Sequence, residues 1–298
     1  MTLERAVWRI PRAGSLGSLA LRREPLAEPG PGEARVRVEA IGLNFADLFA
    51  CQGLYSATPQ GSFVPGLECA GTIEALGPGL PSEADLRIGD RIVALTRFGA
   101  YATVLNVGAA LLRRVPAGWS AAQAAAWPVQ GLTAWYGLVP LGAVTAGDVV
   151  LVQSAAGGVG LQALAMLQTL GARPLAVVGH ESKRHFLIEQ RGLAPAAVMV
   201  RDRRQFAHQL DAGLAALGTT VFDCVLDAVL GPGFRPSFER LGPEGRYVLF
   251  GAADFMTASA RPNYLRLAFD YLRRPRLDPL AMISANRSLM AFNLIWLW

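Results

Sequence analysis

Asp148-Val149-Val150-Leu151-Val152-Gln153-Ser154-Ala155-Ala156-Gly157-Gly158-Val159-Gly160-Leu161, residues 148–161, changes character twice. Val149 to Val152 are consecutive aliphatics without polar alternation, which suits a parallel strand covered on both faces. Ser154 to Gly160 is too rich in glycine to belong to either neighbour. Beyond it Leu161, Leu164, Ala165 and Leu167 to Leu170 carry helical spacing that ends at Gly171, a fitting C-cap. Strand, glycine turn and helix in this order begin a dinucleotide-binding βαβ unit, with backbone N–H groups and the positive helix end facing a pyrophosphate. Ala155 stands at the first glycine position of G-x-G-x-x-G, while Gly157 and Gly160 fill the second and third. The bland alternative is a turn joining a core strand to a core helix. Against it stands Arg173 to Val178, a second strand placed where an adenosine ribose would lie.

Working outward, the chain of 298 residues exceeds a usual single domain, and 52% hydrophobic residues give it ample core. Mean hydropathy is +0.31. Residues 120–147 and 149–172 are uncharged and long enough to span a membrane. Pro128, Pro140 and several glycines interrupt the first and the glycine turn the second, so both read as buried core and no transmembrane segment is expected. Arg5, Arg9 and Arg12 break up the opening before a signal-peptide core can form, which makes the cytoplasm the expected compartment. Cys51, Cys69 and Cys224 are too far apart for a disulfide framework or a structural zinc cluster. The net charge is +5, and Lys183 is the one lysine among 28 basic residues. The arginine clusters at 201–204 and 273–276 lack interleaved aromatics and read as solvated faces, so no nucleic-acid partner is expected.

The first 120 residues read as short strands with Pro/Gly turns: 3–10, 19–23, 34–40, then strands entered through Pro65-Gly66 and Gly89-Asp90. Asn44 is a fair N-cap for a helix that follows, with Asp47 in its first turn. After Ser120 the pattern turns to helix and strand in alternation. Helices are expected at 121–126, 127–136, 182–191, 204–216 and 233–240. Strands are expected at 197–200, 221–228, 246–251 and, as a sixth edge strand, 290–296. The fold class is therefore α/β, with a β-rich domain at 1–120 and a doubly wound nucleotide-binding domain at 121–298.

The combination Gly-Leu-Asn-Phe-Ala-Asp-Leu at 42–48, Gln-Gly-Leu-Tyr at 52–55, Pro-Gly-Leu-Glu-Cys-Ala-Gly at 65–71, Gly-Asp-Arg-Ile at 89–92 and Ala-Ala-Gly-Gly-Val-Gly at 155–160 resembles the medium-chain dehydrogenase/reductase superfamily. Within it the chain is similar to the zinc-independent quinone oxidoreductases, and at 263–268 and 292–297 to the subgroup named after the synaptic-vesicle amine-transport protein. The resemblance implies a GroES-like domain followed by a Rossmann domain. It also implies a return of the chain into the first domain beyond the last strand, a segment this sequence does not contain before Trp298. Zinc-dependent relatives carry cysteine where Asn44 stands and histidine where Leu67 stands. Asn and Leu cannot hold that ion, so no metal is expected.

Hydrogen-bond donors must then polarise the acceptor carbonyl. The resemblance assigns Tyr55 to binding or protonating the acceptor oxygen and Asn44 to orienting it. It places Gln130 and Thr133 near the nicotinamide, the turn Ala155, Gly157, Gly158, Val159 and Gly160 at the pyrophosphate, and Gly251 close to the nicotinamide. At the end of the second nucleotide-domain strand, Gly179 precedes His180 and Glu181. An NAD site wants a carboxylate there, whereas Ser182, Lys183 and Arg184 offer donors and positive charge for a 2′-phosphate, which favours NADPH. The expected activity is NADPH-dependent reduction of a quinone or of an enone double bond. The alternatives are a non-catalytic nucleotide-binding protein associated with membrane or RNA, and a truncated inactive remnant. A bare apolar edge strand at 290–296 predicts a homodimer.

Overall fold

The computed structural model describes residues 3–80, 85–255 and 259–297. They form two compact units, one holding residues 1–129 with 257–263 and the other 130–256 with 264–298.

In the first unit β1 (Leu3–Arg9) and β2 (Ala20–Leu26) pair as an antiparallel ribbon. β3 (Glu33–Ile41) is followed by helix α1 (Phe45–Gln52), then β4 (Glu68–Leu76), β5 (Arg91–Leu95), β6 (Val104–Gly108) and β7 (Leu112–Arg114). Five of these strands form an antiparallel sheet in the order β6-β3-β4-β5-β7. Its core gathers Val36, Cys69, Ile73, Ile92 and Leu105, all nearly or wholly buried. Each such side chain contributes about 1.5–3 kcal/mol by leaving water.

This unit does not stop at residue 120. Helix α2 (Ala121–Ala125) opens on a capping box, in which Ser120 Oγ accepts from Gln123 N and Gln123 Oε1 accepts from Ser120 N. Its Ala124 and Ala125 pack against Ala70 of β4. The short chain at 259–263 also belongs here, although the sequence reading put it in the nucleotide-binding domain. Leu16 N donates to Ala260 O at 2.8 Å and Gln52 Nε2 to Ser259 O at 3.2 Å.

Helix α3 (Pro128–Tyr136) leads to the second unit, which continues through β8 (Val149–Gln153), α4 (Gly158–Leu170), β9 (Arg173–Val178), α5 (Glu181–His185), β10 (Val198–Val200), α6 (Phe206–Ala216), β11 (Phe222–Asp227), α7 (Phe234–Glu239), β12 (Leu241–Leu249), α8 (Tyr264–Leu272), α9 (Pro279–Ala285) and β13 (Ser288–Ala291). The six strands are parallel in the order β10-β9-β8-β11-β12-β13. In chain order that is 3-2-1-4-5-6, with the direction of winding reversing between β8 and β11. β8 is buried along its whole length. Val150 and Val152 join the core under α4, while Val149 and Leu151 join the opposite core under α6 and α7, which explains the unbroken aliphatic run.

The edge strand is shorter and earlier than 290–296. Its ladder runs from Ser288 beside Arg246 to Ala291 beside Leu249, and Phe292 N makes the last bond to Leu249 O. Leu294–Trp296 is a 3₁₀ turn that carries Ile295 into the interior. Among the described residues no helix is long and apolar enough to cross a membrane.

Candidate functional site

The glycine turn lies at the reversal point of the parallel sheet. Ser154, with φ of +55°, bends the chain off β8, and Gly157 N donates to Ser154 O at 2.8 Å. Gly157 is the N-cap of α4 and offers no side-chain oxygen to the N–H groups of Gly158, Val159 and Gly160. Three donors and the positive helix end thus point out of the turn. A Cβ on Gly160 would stand 2.5 Å from Ser154 O and 2.6 Å from Ala155, and one on Gly158 would overlap the Gln130 amide. Only glycine lets the strand, the turn and α3 close up here. Ala155 is wholly buried, so the methyl in place of the first motif glycine is absorbed into the core. Gln130 therefore touches the turn, and Thr133 lies buried one helical turn further on. Gly251 follows β12, where a Cβ would stand 2.6 Å from Ala228 O.

At the end of β9, Gly179, His180, Glu181, Ser182 and Lys183 are all exposed. Glu181 is turned back on its own helix, pairing with Arg184 at 3.0 Å and His185 at 3.8 Å. It is therefore engaged where an NAD-type site would need a free carboxylate. Arg184 is also committed elsewhere: Nε donates to Val198 O at 3.1 Å and an amino group to Pro195 O at 3.4 Å. It ties α5 to the loop before β10 and is not directed at a cofactor. Near the same strand ends lie arginines read from sequence as a solvated face. Arg201 follows β10 with its N–H on Val178 O at 2.9 Å, which sets it beside Gly179. With Arg203, Arg204, Phe206, Pro232 and Gly233 it lines a cavity of about 170 Å³. Arg203 is paired with Asp254 at 3.0 Å. The signal for Arg201 was its position just past a strand end in a parallel sheet.

In the first unit, Asn44 and Tyr55 stand at opposite ends of α1, a helix roughly 12 Å long. Tyr55 is half-buried against Ile10, Ala50, Cys51 and Phe63, and its carbonyl accepts from both N and Oγ1 of Thr58. Asn44 is the N-cap, and its backbone N–H donates to Asp47 Oδ2 at 2.9 Å. Its amide nitrogen donates to Glu68 Oε1 at 2.7 Å, and Glu68 Oε2 accepts from Val129 N at 2.7 Å. A carboxylate can only accept, so Glu68 fixes which end of the Asn44 amide faces it.

Glu68 is wholly buried. Loss of solvent pushes its carboxyl up to about 7, against hydrogen bonds from Val129 and Asn44 that pull it down. Asp47, also buried, accepts Tyr101 Oη at 3.0 Å and is raised by burial to about 6. Two carboxyls that titrate near neutrality thus lie behind Asn44. Neither stood out in the sequence, where Asp47 read as a helix-dipole charge and Glu68 as one letter in a strand. Burial raises the Cys51 thiol to about 11 and the Cys69 thiol to about 12, so neither supplies a thiolate nucleophile. Leu67 is buried beside Glu68 and Asn44 is held by it, and neither side chain is a ligand for a metal.

Residues 30–117 match the family model of the alcohol dehydrogenase GroES-like domain. Over 269 residues the chain is 35% identical to a synaptic vesicle membrane protein VAT-1 homolog of Danio rerio, covering 89% of this chain and 53% of that protein. The chain thus spans about half the length of that relative. The solved structure of a mycobacterial quinone oxidoreductase superposes with a TM-score of 0.75 at 31% identity, covering 98% of this chain and 82% of its own. The chain belongs to the medium-chain dehydrogenase/reductase superfamily, in its zinc-independent quinone oxidoreductase branch. In this reductase-family chain the antiparallel unit is the GroES-like domain and the parallel unit the Rossmann domain. A further mycobacterial structure, solved in complex with NADPH, has a TM-score of 0.81 at 32% identity, with the same shares of 98% and 82%.

Proposed function

We propose that this chain reduces a quinone or an α,β-unsaturated carbonyl compound with NADPH. The observation that carries the proposal is the turn of residues 157–160 at the reversal point of the parallel sheet, where glycines at 158 and 160 let strand, turn and α3 pack closely and the first N–H groups of α4 have no side-chain cap. Bound there, NADPH supplies a hydride. Gly158, Val159 and Gly160 hold the pyrophosphate, with Gln130, Thr133 and Gly251 about the nicotinamide. Ser182, Lys183 and Arg201 meet the 2′-phosphate, and the engagement of Glu181 by Arg184 and His185 removes the carboxylate that would select NAD.

On the acceptor side, Tyr55 donates to the carbonyl oxygen as negative charge develops on it, and Asn44 orients the acceptor. For an enone, hydride adds at the β-carbon, the enolate oxygen is held by Tyr55, and solvent returns a proton at the α-carbon. For a quinone, hydride and a proton give the hydroquinone. The free edge of β13 is the surface through which a second copy would pair. Calorimetric titration with NADPH and NADH, followed by NADPH oxidation with a panel of quinones and enones, tests the reading. Tighter NADPH binding with turnover of at least one acceptor class is expected. A folded protein that binds neither nucleotide would overturn it.

A further inference from the structure

We propose that the groove between α7 and the α8–α9 segment is a second ligand site, which takes an elongated amphipathic carboxylate such as a free acyl acid. The proposal goes beyond the reductase reading and does not rest on it. The groove encloses about 840 Å³, within the range of small-molecule pockets. Its apolar wall is Phe234, Phe238, Phe269, Leu277 and Met282. Phe234 and Phe238 belong to the core opposite the one that packs α4, so the groove is on the other face of the sheet from the glycine-turn helix. It runs the height of the sheet. Leu230 and Phe255, beyond the carboxyl ends of β11 and β12, close one end, and Arg287, at the start of β13, closes the other. That length suits a chain better than a compact ring system.

Charge at the groove selects the head group. Each lining acid already has a partner: Glu239 pairs with Arg235 at 2.8 Å, Asp254 with Arg203 at 3.0 Å and Asp270 with Arg266 at 3.5 Å, while Asp278 accepts from Leu280 N at 2.9 Å. Among the lining cations, Arg273, Arg276 and Arg287 have no carboxylate partner among the described residues. The Arg273 guanidinium instead lies over the Phe269 ring, 4.8 Å from its centroid. Arg287 Nε is buried and has no acceptor among the described residues. A carboxylate fits a guanidinium through two parallel bonds. An apolar trough with unmatched arginines along it is complementary to one negative head on an apolar tail.

The test is calorimetric titration of the full chain, without nucleotide and at physiological salt, using decanoate and decan-1-ol as probes. Decanoate should bind at least ten-fold more tightly than the alcohol. Arg276→Ala and Arg287→Ala should each weaken decanoate roughly ten-fold. Arg276 is exposed, so its loss leaves the fold intact should Arg287→Ala not fold. Lys183→Ala, which removes one positive charge at the end of β9, should leave decanoate affinity unchanged. Equal binding of acid and alcohol, no binding of either, or an equal loss in Lys183→Ala and Arg276→Ala would overturn the proposal.

Discussion

Glu68→Gln isolates the charge buried behind Asn44. A carboxyl held at about 7 in the folded chain, against an ordinary 4.5, binds its proton more tightly folded than unfolded. Between those two values the native state carries more protons than the unfolded state, so stability falls as pH rises through the window. The full difference stands for about 3 kcal/mol, most of which falls between pH 5 and pH 8. Asp47, raised to about 6 from 3.8, adds a loss of the same sign, of about 1 kcal/mol above pH 5. Glutamine keeps the volume and removes the ionisation. It also sets an amide where two oxygens now accept from Asn44 and Val129, which costs about 1–2 kcal/mol at every pH. That constant cancels in the pH difference. Urea unfolding of both proteins at pH 5, 6, 7 and 8 should show wild type losing about 4 kcal/mol across the range and Glu68→Gln about 1 kcal/mol. Parallel pH profiles, or a wild type that gains stability from pH 5 to 8, would refute the assignment of a buried, neutral-range carboxyl.

Gly160→Ala forces a methyl to within 2.5 Å of Ser154 O, so it should cost about 1–3 kcal/mol and abolish NADPH binding, read by thermal melts with and without nucleotide. Lys183→Ala should lower NADPH affinity roughly ten-fold while sparing NADH, because a charged contact to the 2′-phosphate is worth about 1.5–3 kcal/mol. Arg184→Ala, in contrast, should destabilise the chain by about 1 kcal/mol through its lost bonds to Val198 and Pro195 and, by releasing Glu181, should shift the NADPH-to-NADH affinity ratio toward NADH in the same titrations. Tyr55→Phe removes the proposed donor and should reduce kcat/KM for the acceptor about 100-fold, with the KM for NADPH unaltered in steady-state assays.

What could be read from sequence was what the local pattern determines. Val149 to Val152 had to be a doubly covered strand because both faces of its pleat are apolar, and the glycines after it had to turn because a Cβ at Gly158 or Gly160 has nowhere to go. The same reasoning found the helix N-terminus and its three uncapped N–H donors. It could not find the groups whose chemistry is set from far along the chain. Glu68 titrates near neutrality because a core assembled from distant segments removes water from it, and the hydrogen bonds from Val129, 61 residues on, and Asn44, 24 residues back, offset only part of that rise. Arg184 looks free in a helix of charged residues until Val198, 14 residues later, presents its carbonyl. The strand at 290–296 failed for a related reason: an apolar run can pair only as far as its neighbour reaches, and β12 ends at Leu249. Pattern specifies the backbone scaffold and with it the glycine turn, whereas charge state and cation availability are properties of tertiary neighbours. In this chain the glycine turn is therefore the legible part of the candidate site, and the carboxyl pair behind Asn44 is the part that only the folded structure exposes.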